Sequence, residues 1–304
     1  MLTEFVNNYA AYEYPLASAQ LFLAMLGMGA LLTPADFLRE IRTPKGLLLG
    51  MGFQWLLVPA IAVAVAALLS LPAGIAAGLV LIASVPGGTM SNILTLFGRG
   101  NIALSISLTS ITTVASLATT PLILKLLLDQ HLSEDFTMPT ARIARDIMLT
   151  LIFPLLVGMS VRLWLSMENT ALFSKWMIRI SIFLIVIMAF GAGGSGRLDA
   201  QAYGLSAIIA LVVFGFAIQG AGLLMSRVAR LGTPETLAIV VEATFRNISL
   251  AIAIKAVVFP ARPGELDPIG DAVLFAAMLY AAISLFISLV PVFLHRRYRP
   301  TLDS

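Results

Sequence analysis

The sequence predicts an all-α, polytopic membrane protein of about nine transmembrane helices arranged as inverted repeats, with two of the helices discontinuous. Three observations predict this fold. Of the 304 residues, 59% are hydrophobic and 12% are charged, whereas a soluble domain carries roughly 25% charged residues. Apolar stretches long enough to cross a bilayer, which takes about 20 helical residues, recur along the chain. Two of these stretches share a short polar pattern at their centres.

Short polar loops rich in Pro, Gly, Asp and Glu separate the predicted spans, and no loop is long enough to form a soluble domain. The nine spans are 14–32, 46–69, 72–98, 101–127, 141–165, 170–193, 201–228, 233–259 and 268–294. Residues 1–304 are therefore expected to form one membrane domain, with a first repeat at about 14–127 and a second at about 141–294. Four spans precede residue 130 and five follow it. The simplest arrangement is a five-plus-five design in which the first repeat lacks its first helix.

The Lys and Arg residues of the loops predict the orientation, because cytoplasmic loops are rich in these residues. Nine spans put three basic clusters on the side of the C-terminus, which we expect to be cytoplasmic: Arg39, Arg42 and Lys45; Arg227 and Arg230; Arg296, Arg297 and Arg299. The N-terminus is expected outside, and residues 1–13 lack the pattern of a cleaved signal peptide. The exceptions on the outer side are Arg142, Arg145, Arg197 and Arg262. The absence of cysteine excludes disulfides and thiolate metal sites.

The two irregular spans are 72–98, interrupted at Pro86-Gly87-Gly88, and 233–259, which carries Glu242 and Arg246 at its middle. They share the pattern Thr-x-x-Asn-Ile, at 89–93 and at 244–248. With nine spans the two copies run in opposite directions, as inverted repeats require, and carriers of this design bind their ligands where two broken helices meet. All other ionisable side chains are expected near span ends, where long side chains can reach the interface.

The ends of half-helices inside a membrane favour ions. Carbonyls at a C-terminal end suit a small cation, and amides at an N-terminal end suit an anion. Asn92 and Asn247 are each expected to begin a second half-helix and to cap its free amides. Hard oxygen donors of the kind that alkali cations prefer stand beside them, on Thr89, Ser91, Glu242 and Thr244.

The segment PGGTMSNILTLFGRGNIALSISLTS at 86–110 resembles the signature of the bile acid:sodium symporter family. GMGALLTPADF at 27–37, GFQWLLVP at 52–59 and EATFRN at 242–247 fall at the matching places, so the resemblance covers nearly the whole chain. It implies a panel domain and a core domain, with the two broken helices crossing in the core. It also implies sodium-driven import of a small organic anion across the cell (inner) membrane, by a protein that is not an enzyme and binds no nucleic acid. Members handle bile acids, steroid sulfates, pantoate and 2-oxo acids.

The resemblance also implies site residues. The first sodium site of the family corresponds to Ser91, Asn92, Ser105, Thr109 and Glu242. The second corresponds to Gln54, Glu242, Ala243, Phe245 and Arg246, with Ala243 and Phe245 acting through backbone carbonyls. Substrate-facing positions correspond to Thr89 and Asn247. A polar His-Asn pair that some members carry on the last helix corresponds to Tyr280-Ala281, so the identity of the anion does not transfer.

Arg246 departs from the family, which usually has Gln at this position. An arginine near the bilayer centre costs about 3 kcal/mol, so it is expected to have a partner, and Glu242 one turn earlier is the obvious one. In the family, Glu and two sodium ions sum to one positive charge, and Glu242, Arg246 and one sodium ion give the same sum. We therefore hypothesise that the guanidinium replaces the second sodium ion, leaving one bound ion rather than two. Alternatively, Arg246 binds the substrate anion directly.

Structural interpretations of the same residues stay open. Glu242 and Arg246, spaced four residues apart, fit an intrahelical ion pair, and the two asparagines fit simple helix caps. Ser105 and Thr109 fit helix packing, and before the resemblance Gln54 is as well explained by structure as by function. Among other classes, a sodium/proton antiporter or a proton-coupled anion carrier is the closest rival. A nine-span receptor without transport is a further alternative, whereas the sequence contains no constellation for an intramembrane hydrolase and no filter-like segment for a channel.

Overall fold

The protein is helical throughout the residues that the computed structural model describes, which are 2–33, 44–128, 137–198, 200–260 and 267–298. The helices before the first interruption are α1 (Leu2–Asn7), α2 (Tyr9–Gly29), α3 (Pro44–Leu68) and α4 (Ala73–Ser84). They are followed by α5 (Met90–Phe97), α6 (Ile102–Leu127), α7 (Thr140–Val161) and α8 (Met167–Gly194). The last four are α9 (Ala200–Val228), α10 (Thr233–Thr244), α11 (Ile248–Val258) and α12 (Pro268–Tyr298).

Within the described ranges, six helices are long and apolar enough to cross a membrane: α3, α6, α7, α8, α9 and α12. Each coincides with one of the predicted spans. Two other predicted spans are the broken pairs α4–α5 and α10–α11, whose separate halves are shorter than a bilayer is thick. The remaining one corresponds to α2, a helix of 21 residues that is less apolar and carries Glu13 and Gln20. The all-helical prediction is thus confirmed for the described residues, and the total of nine spans stays a prediction.

The helices pack around the broken pairs. Helix α2 packs against α7, α8 and α11, and α12 packs against α4 and α9. Helix α10 lies against α6, α9 and α12. Between α2 and α7 the backbones approach so closely that a Cβ on Gly29 or Gly158 would lie 2.2 Å from a carbonyl oxygen of the other helix. Small residues at such contacts are typical of membrane helices.

Burial follows the same arrangement. Helix α4 is buried from Gly74 to Ser84, and α10 is buried from Leu237 to Thr244. Helix α8 instead presents large apolar side chains outward, among them Phe183, Val186 and Phe190. Exposed apolar helix faces of this kind suit contact with lipid chains. Helices α4 and α10 therefore lie inside the protein together with the unwound residues 85–88, in surroundings where unwound backbone is tolerated.

Four basic residues used to predict the orientation, Arg39, Arg42, Arg262 and Arg299, lie outside the described residues. Glu13 and Lys255 lie within a turn or two of predicted span ends, as expected, but their side chains do not reach the interface. Lys255 is 0% exposed and Glu13 is 1% exposed, and their charged groups are 2.9 Å apart. Because each side chain finds its counterion inside the protein, neither has to reach the interface.

Candidate functional site

The two interrupted helices pair with each other through their backbones. The Gly88 amide donates to the Phe245 carbonyl over 2.8 Å, and the Asn247 amide donates to the Pro86 carbonyl over 2.9 Å. Gly87 and Arg246 form an antiparallel bridge between these two bonds. The predicted interruptions are therefore confirmed. Each unwound segment supplies hydrogen-bond partners to the backbone of the other, which lipid chains could not do.

Gly87 allows a carboxylate to enter this crossing. Val85 leaves the helical conformation at the end of α4, and the proline that follows has no amide to donate. A Cβ on Gly87 would lie 2.1 Å from Oε1 of Glu242. Only glycine therefore leaves room for Glu242, on the last turn of α10, to reach the interruption of the other broken helix.

Glu242 is completely buried and is surrounded by hydroxyl groups. Its Oε1 accepts from Thr109 over 2.6 Å, and its Oε2 accepts from Ser91 and, at 3.5 Å, from Ser105. These partners come from α5 and α6, so three separate helices converge on one carboxylate. The sequence places the hydroxyls more than 130 positions away from Glu242, and only the folded chain brings them together.

Asn92 completes this cluster. Its Oδ1 accepts from Ser105 over 2.8 Å and from Thr109 over 3.2 Å. All five residues expected at the first sodium site thus lie together, within hydrogen-bonding distance of one another. The expectation that Asn92 caps a helix is wrong, because α5 already begins at Met90 and places Asn92 inside the helix.

Arg246 does not pair directly with Glu242, contrary to expectation. Among the described residues, the ion pairs within 4 Å join Arg197 with Glu13 and Asp271, and Lys255 with Glu13. Helix α10 ends at Thr244, and Phe245 is extended. The spacing of four residues therefore no longer aligns Arg246 above Glu242, as it would in a continuous helix.

The Arg246 guanidinium turns instead toward α3 and α4. Its Nε donates to the Ile82 carbonyl over 3.3 Å, and its Nη2 donates to the carbonyls of Ala83, over 2.8 Å, and Val85. Its Nη1 donates to Oε1 of Gln54 over 3.0 Å. The charge thus sits at the C-terminal end of α4, where helix carbonyls carry partial negative charge.

Of the residues expected at a second sodium site, Gln54 contacts this guanidinium. Gln54 is 1% exposed and lies in a π-helical turn of α3, at Phe53–Leu57. The carbonyl of Phe245 accepts from Gly88, and Ala243 lies buried in the last turn of α10. The hydroxyl of Thr244, expected as an oxygen donor for a cation, donates to the Val240 carbonyl of its own helix over 2.8 Å.

The two positions expected to face the substrate lie at the beginning of second half-helices. Asn247 caps α11 as predicted, since its side chain accepts from the Leu250 amide over 3.1 Å. Thr89 immediately precedes α5 and is half-buried. The N-terminal ends of both second half-helices therefore start beside the same crossing.

Two features of the structure were not predicted from the sequence. The hydroxyl of Tyr280, on α12, is buried and donates to the Thr244 carbonyl over 2.9 Å, so it caps the end of α10. The second feature is a buried ion cluster of Glu13, Arg197, Lys255 and Asp271 that joins α2, α11, α12 and the segment between α8 and α9. The position of Lys255 inside an apolar half-helix is the signal that indicates the cluster.

Comparisons with known proteins agree with this architecture of long apolar helices around two broken ones. Residues 19–195 match the model of the Sodium Bile acid symporter family. The chain therefore belongs to that family, and it is an integral membrane protein.

Several curated proteins are similar to this chain. An uncharacterized sodium-dependent transporter, YocS of Bacillus subtilis, is 27% identical over 76% of this chain and 71% of that protein. The probable sodium/metabolite cotransporter BASS1 of Arabidopsis thaliana chloroplasts is 30% identical over 77% of this chain and 57% of that protein. A sodium-dependent organic anion transporter of Bos taurus is 34% identical over 46% of this chain and 37% of that protein. The chain thus spans little more than half the length of the chloroplast relative.

Proposed function

We propose that this protein is a secondary active transporter that couples the inward movement of sodium to the import of a small organic anion. The observation that carries the proposal is the buried Glu242 carboxylate with hydroxyl oxygens from α5 and α6 around it, at the crossing of two broken helices. The names of the relatives, sodium-dependent transporters and an organic anion transporter, also support sodium-coupled transport of an organic anion. The anion belongs to the class of bile-acid-like compounds, steroid sulfates, pantoate or 2-oxo acids.

A cation would neutralise the buried charge of the cluster. Glu242 is completely buried and has no ion pair within 4 Å among the described residues. Side-chain oxygens of four further residues lie beside its carboxylate or beside one another, those of Ser91, Asn92, Ser105 and Thr109. A sodium ion bound among these five residues would neutralise a charge that is costly to bury alone, and it would be held by hard oxygen donors of the kind that such a cation prefers.

In this proposal the substrate anion binds near the N-terminal ends of two helices. Free amides and the positive end of the helix dipole favour negative charge. Helices α5 and α11 both begin at the crossing, next to Thr89 and Asn247. A substrate carboxylate or sulfate bound near these residues would lie close to the cation, so each ion would favour binding of the other.

Alternating access would follow from the two groups of helices. We assign α2, α7 and α8, which pack together, to a panel. The broken helices with α3, α6, α9 and α12 would form the core. Rocking of one group against the other would expose the crossing alternately to the two sides. This arrangement includes nine spans with the N-terminus outside and the C-terminus in the cytoplasm, in the cell (inner) membrane.

The experiment is uptake of labelled organic anions from this class into proteoliposomes, with an inward sodium gradient and with choline in its place. We expect accumulation only with sodium, and its loss in Glu242→Ala. The matched control is Ser110→Ala, which removes a buried hydroxyl of α6 that has no hydrogen-bond partner. Undiminished sodium-driven uptake by Glu242→Ala would overturn the proposal.

Proton coupling is the competing function, and one observation favours it. Among the residues that the structure describes, none forms a direct ion pair that would hold Glu242 ionised. A carboxylate in such surroundings is suited to binding a proton. The same vesicles separate the two functions. A pH gradient without sodium that drives uptake as strongly as a sodium gradient would support proton coupling, and a pH gradient that drives none would exclude it.

A further inference from the structure

The Arg246 guanidinium occupies a position that is built for a cation. Three carbonyls from the end of α4, those of Ile82, Ala83 and Val85, and the side-chain oxygen of Gln54 surround it. The last carbonyls of a helix have no intrahelical partner, and they carry the negative end of its dipole. Four oxygens of this kind around one point form the donor set of a hard cation.

We propose that Arg246 permanently fills this second cation position, so that one sodium ion rather than two is coupled to each transport cycle. The proposal rests on the proposed function. A guanidinium keeps its charge at any physiological pH and presents five N–H donors in a fixed plane. It can therefore hold the end of α4 and Gln54 together in both the empty and the loaded transporter, which a diffusible ion cannot.

Gln54 is oriented toward this fixed charge. Its Oε1 accepts from Nη1 of Arg246, while its buried Nε2 has no hydrogen-bond partner within the described part of the chain. An amide in a polar site usually satisfies both of its atoms. In the observed orientation the amide oxygen of Gln54 faces the guanidinium and the amide nitrogen stays unpaired. This is expected for a side chain that serves as a cation ligand.

The same geometry argues against direct binding of the substrate by Arg246. Four hydrogen bonds to the protein use four of its five N–H groups. The side chain is only 2% exposed. Bidentate binding of a carboxylate or sulfate needs two free N–H groups on one edge, and this guanidinium has one N–H left.

The charge balance supports one sodium ion. Glu242 and Arg246 together are neutral, so a single sodium ion among the hydroxyls gives the crossing one net positive charge. That charge faces the anion at the starts of α5 and α11. A second sodium ion would add a further charge and would have to displace the guanidinium from its four oxygens.

The test is equilibrium binding of labelled sodium to the purified protein, measured at constant ionic strength with choline as the replacement cation. Stabilisation of the protein by sodium, which follows from mass action, first shows that the ion binds the folded state. The amount of bound sodium at each concentration then gives the occupancy directly. We expect a Hill coefficient of about 1 for the wild type, because the Hill coefficient cannot exceed the number of sites. In Arg246→Gln the vacated oxygens become available, and the Hill coefficient should rise above about 1.5.

Gln54→Ala provides a second measurement that does not depend on the folding of Arg246→Gln. If Arg246 fills the second position, Gln54→Ala should change the half-saturating sodium concentration less than about threefold and leave the Hill coefficient at about 1. A wild-type Hill coefficient near 2 that Gln54→Ala lowers would overturn the proposal. A wild type that sodium does not stabilise at all would overturn the proposed function instead, so the two failures are distinguishable.

Discussion

The ammonium group of Lys255, in the second half of a broken helix, lies 2.9 Å from Oε1 of Glu13 on the first long helix, and neither side chain is open to solvent. Arg197 pairs with the other oxygen of Glu13 over 2.5 Å and also with Asp271. Two cations and two anions thus form a buried cluster, away from the crossing, that ties α11 to α2 and α12.

Lys255→Met should destabilise the protein by about 3 kcal/mol, because removing one member of a buried ion pair leaves the other charge uncompensated. Glu13 keeps Arg197, which puts the effect at the low end of that range. Thermal unfolding of the purified protein measures the change. Lys125→Met, at an exposed position of α6, is the control and should change stability by less than about 0.5 kcal/mol. Equal effects of the two substitutions would contradict the structural role of the cluster.

Thr109→Val should raise the sodium concentration needed for half-maximal sodium binding about tenfold, since a hydrogen bond to a charged group is worth about 1.5–3 kcal/mol. The hydroxyl that is lost lies 2.6 Å from Glu242. Thr113→Val is the matched control, because Thr113 is buried one turn further along the same helix and its hydroxyl has no hydrogen-bond partner among the described residues. The same shift in both variants would mean that the effect comes from packing within α6.

Gly87→Ala should abolish sodium-dependent uptake while leaving a folded protein in the membrane. The added methyl group would lie 2.1 Å from Oε1 and 2.5 Å from the carboxylate carbon of Glu242, so the carboxylate must move away from the hydroxyls. Uptake and size-exclusion profiles are measured together. Gly220→Ala serves as control, since a Cβ there meets nothing within 4 Å. Normal uptake by Gly87→Ala would show that the position of the carboxylate at the crossing is not required.

Tyr280→Phe should lower stability by about 1–3 kcal/mol, the cost of leaving a buried acceptor without its donor. The acceptor is the Thr244 carbonyl at the end of α10. Thermal unfolding again provides the measurement, with Tyr12→Phe, on the exposed face of α2, as the comparison. If the two variants unfold at the same temperature, the Tyr280 hydroxyl does not stabilise the end of this half-helix.

Reporter fusions to the two termini should report opposite compartments, the N-terminus outside and the C-terminus in the cytoplasm. An odd number of spans requires this result, and the Lys and Arg placement decides its direction. A phosphatase that is active only outside and a fluorescent protein that folds only inside make the readout complementary. Both termini on one side would refute the nine-span count.

Much of the site is predictable because its residues lie within short local patterns. The interruption at Pro86-Gly87-Gly88 and the paired Asn-Ile motifs indicate two broken helices, and the backbone follows these local preferences in the structure. The first-site residues come together as the family resemblance implies. The failures are equally specific: Asn92 is not a cap, because α5 begins two residues before it. Lys255 does not extend toward the interface, because its counterion is on a helix more than 200 residues earlier.

The sequence by itself determined a helical membrane protein, the positions of its six long apolar helices within the described residues and the two points at which helices break. Hydropathy and the missing amide of Pro86 act locally along the chain, and so do the polar and charged side chains within 242–247 at the second break. Only the tertiary structure decided where Arg246 points. Four residues after Glu242, it would extend along the same face of a continuous helix. The break at Phe245 redirects it toward Gln54 and the end of α4. The partners that a buried charged side chain finds depend on which carbonyls and charges the fold leaves unpaired. The packing of the helices decides this, and the spacing of residues along the sequence does not.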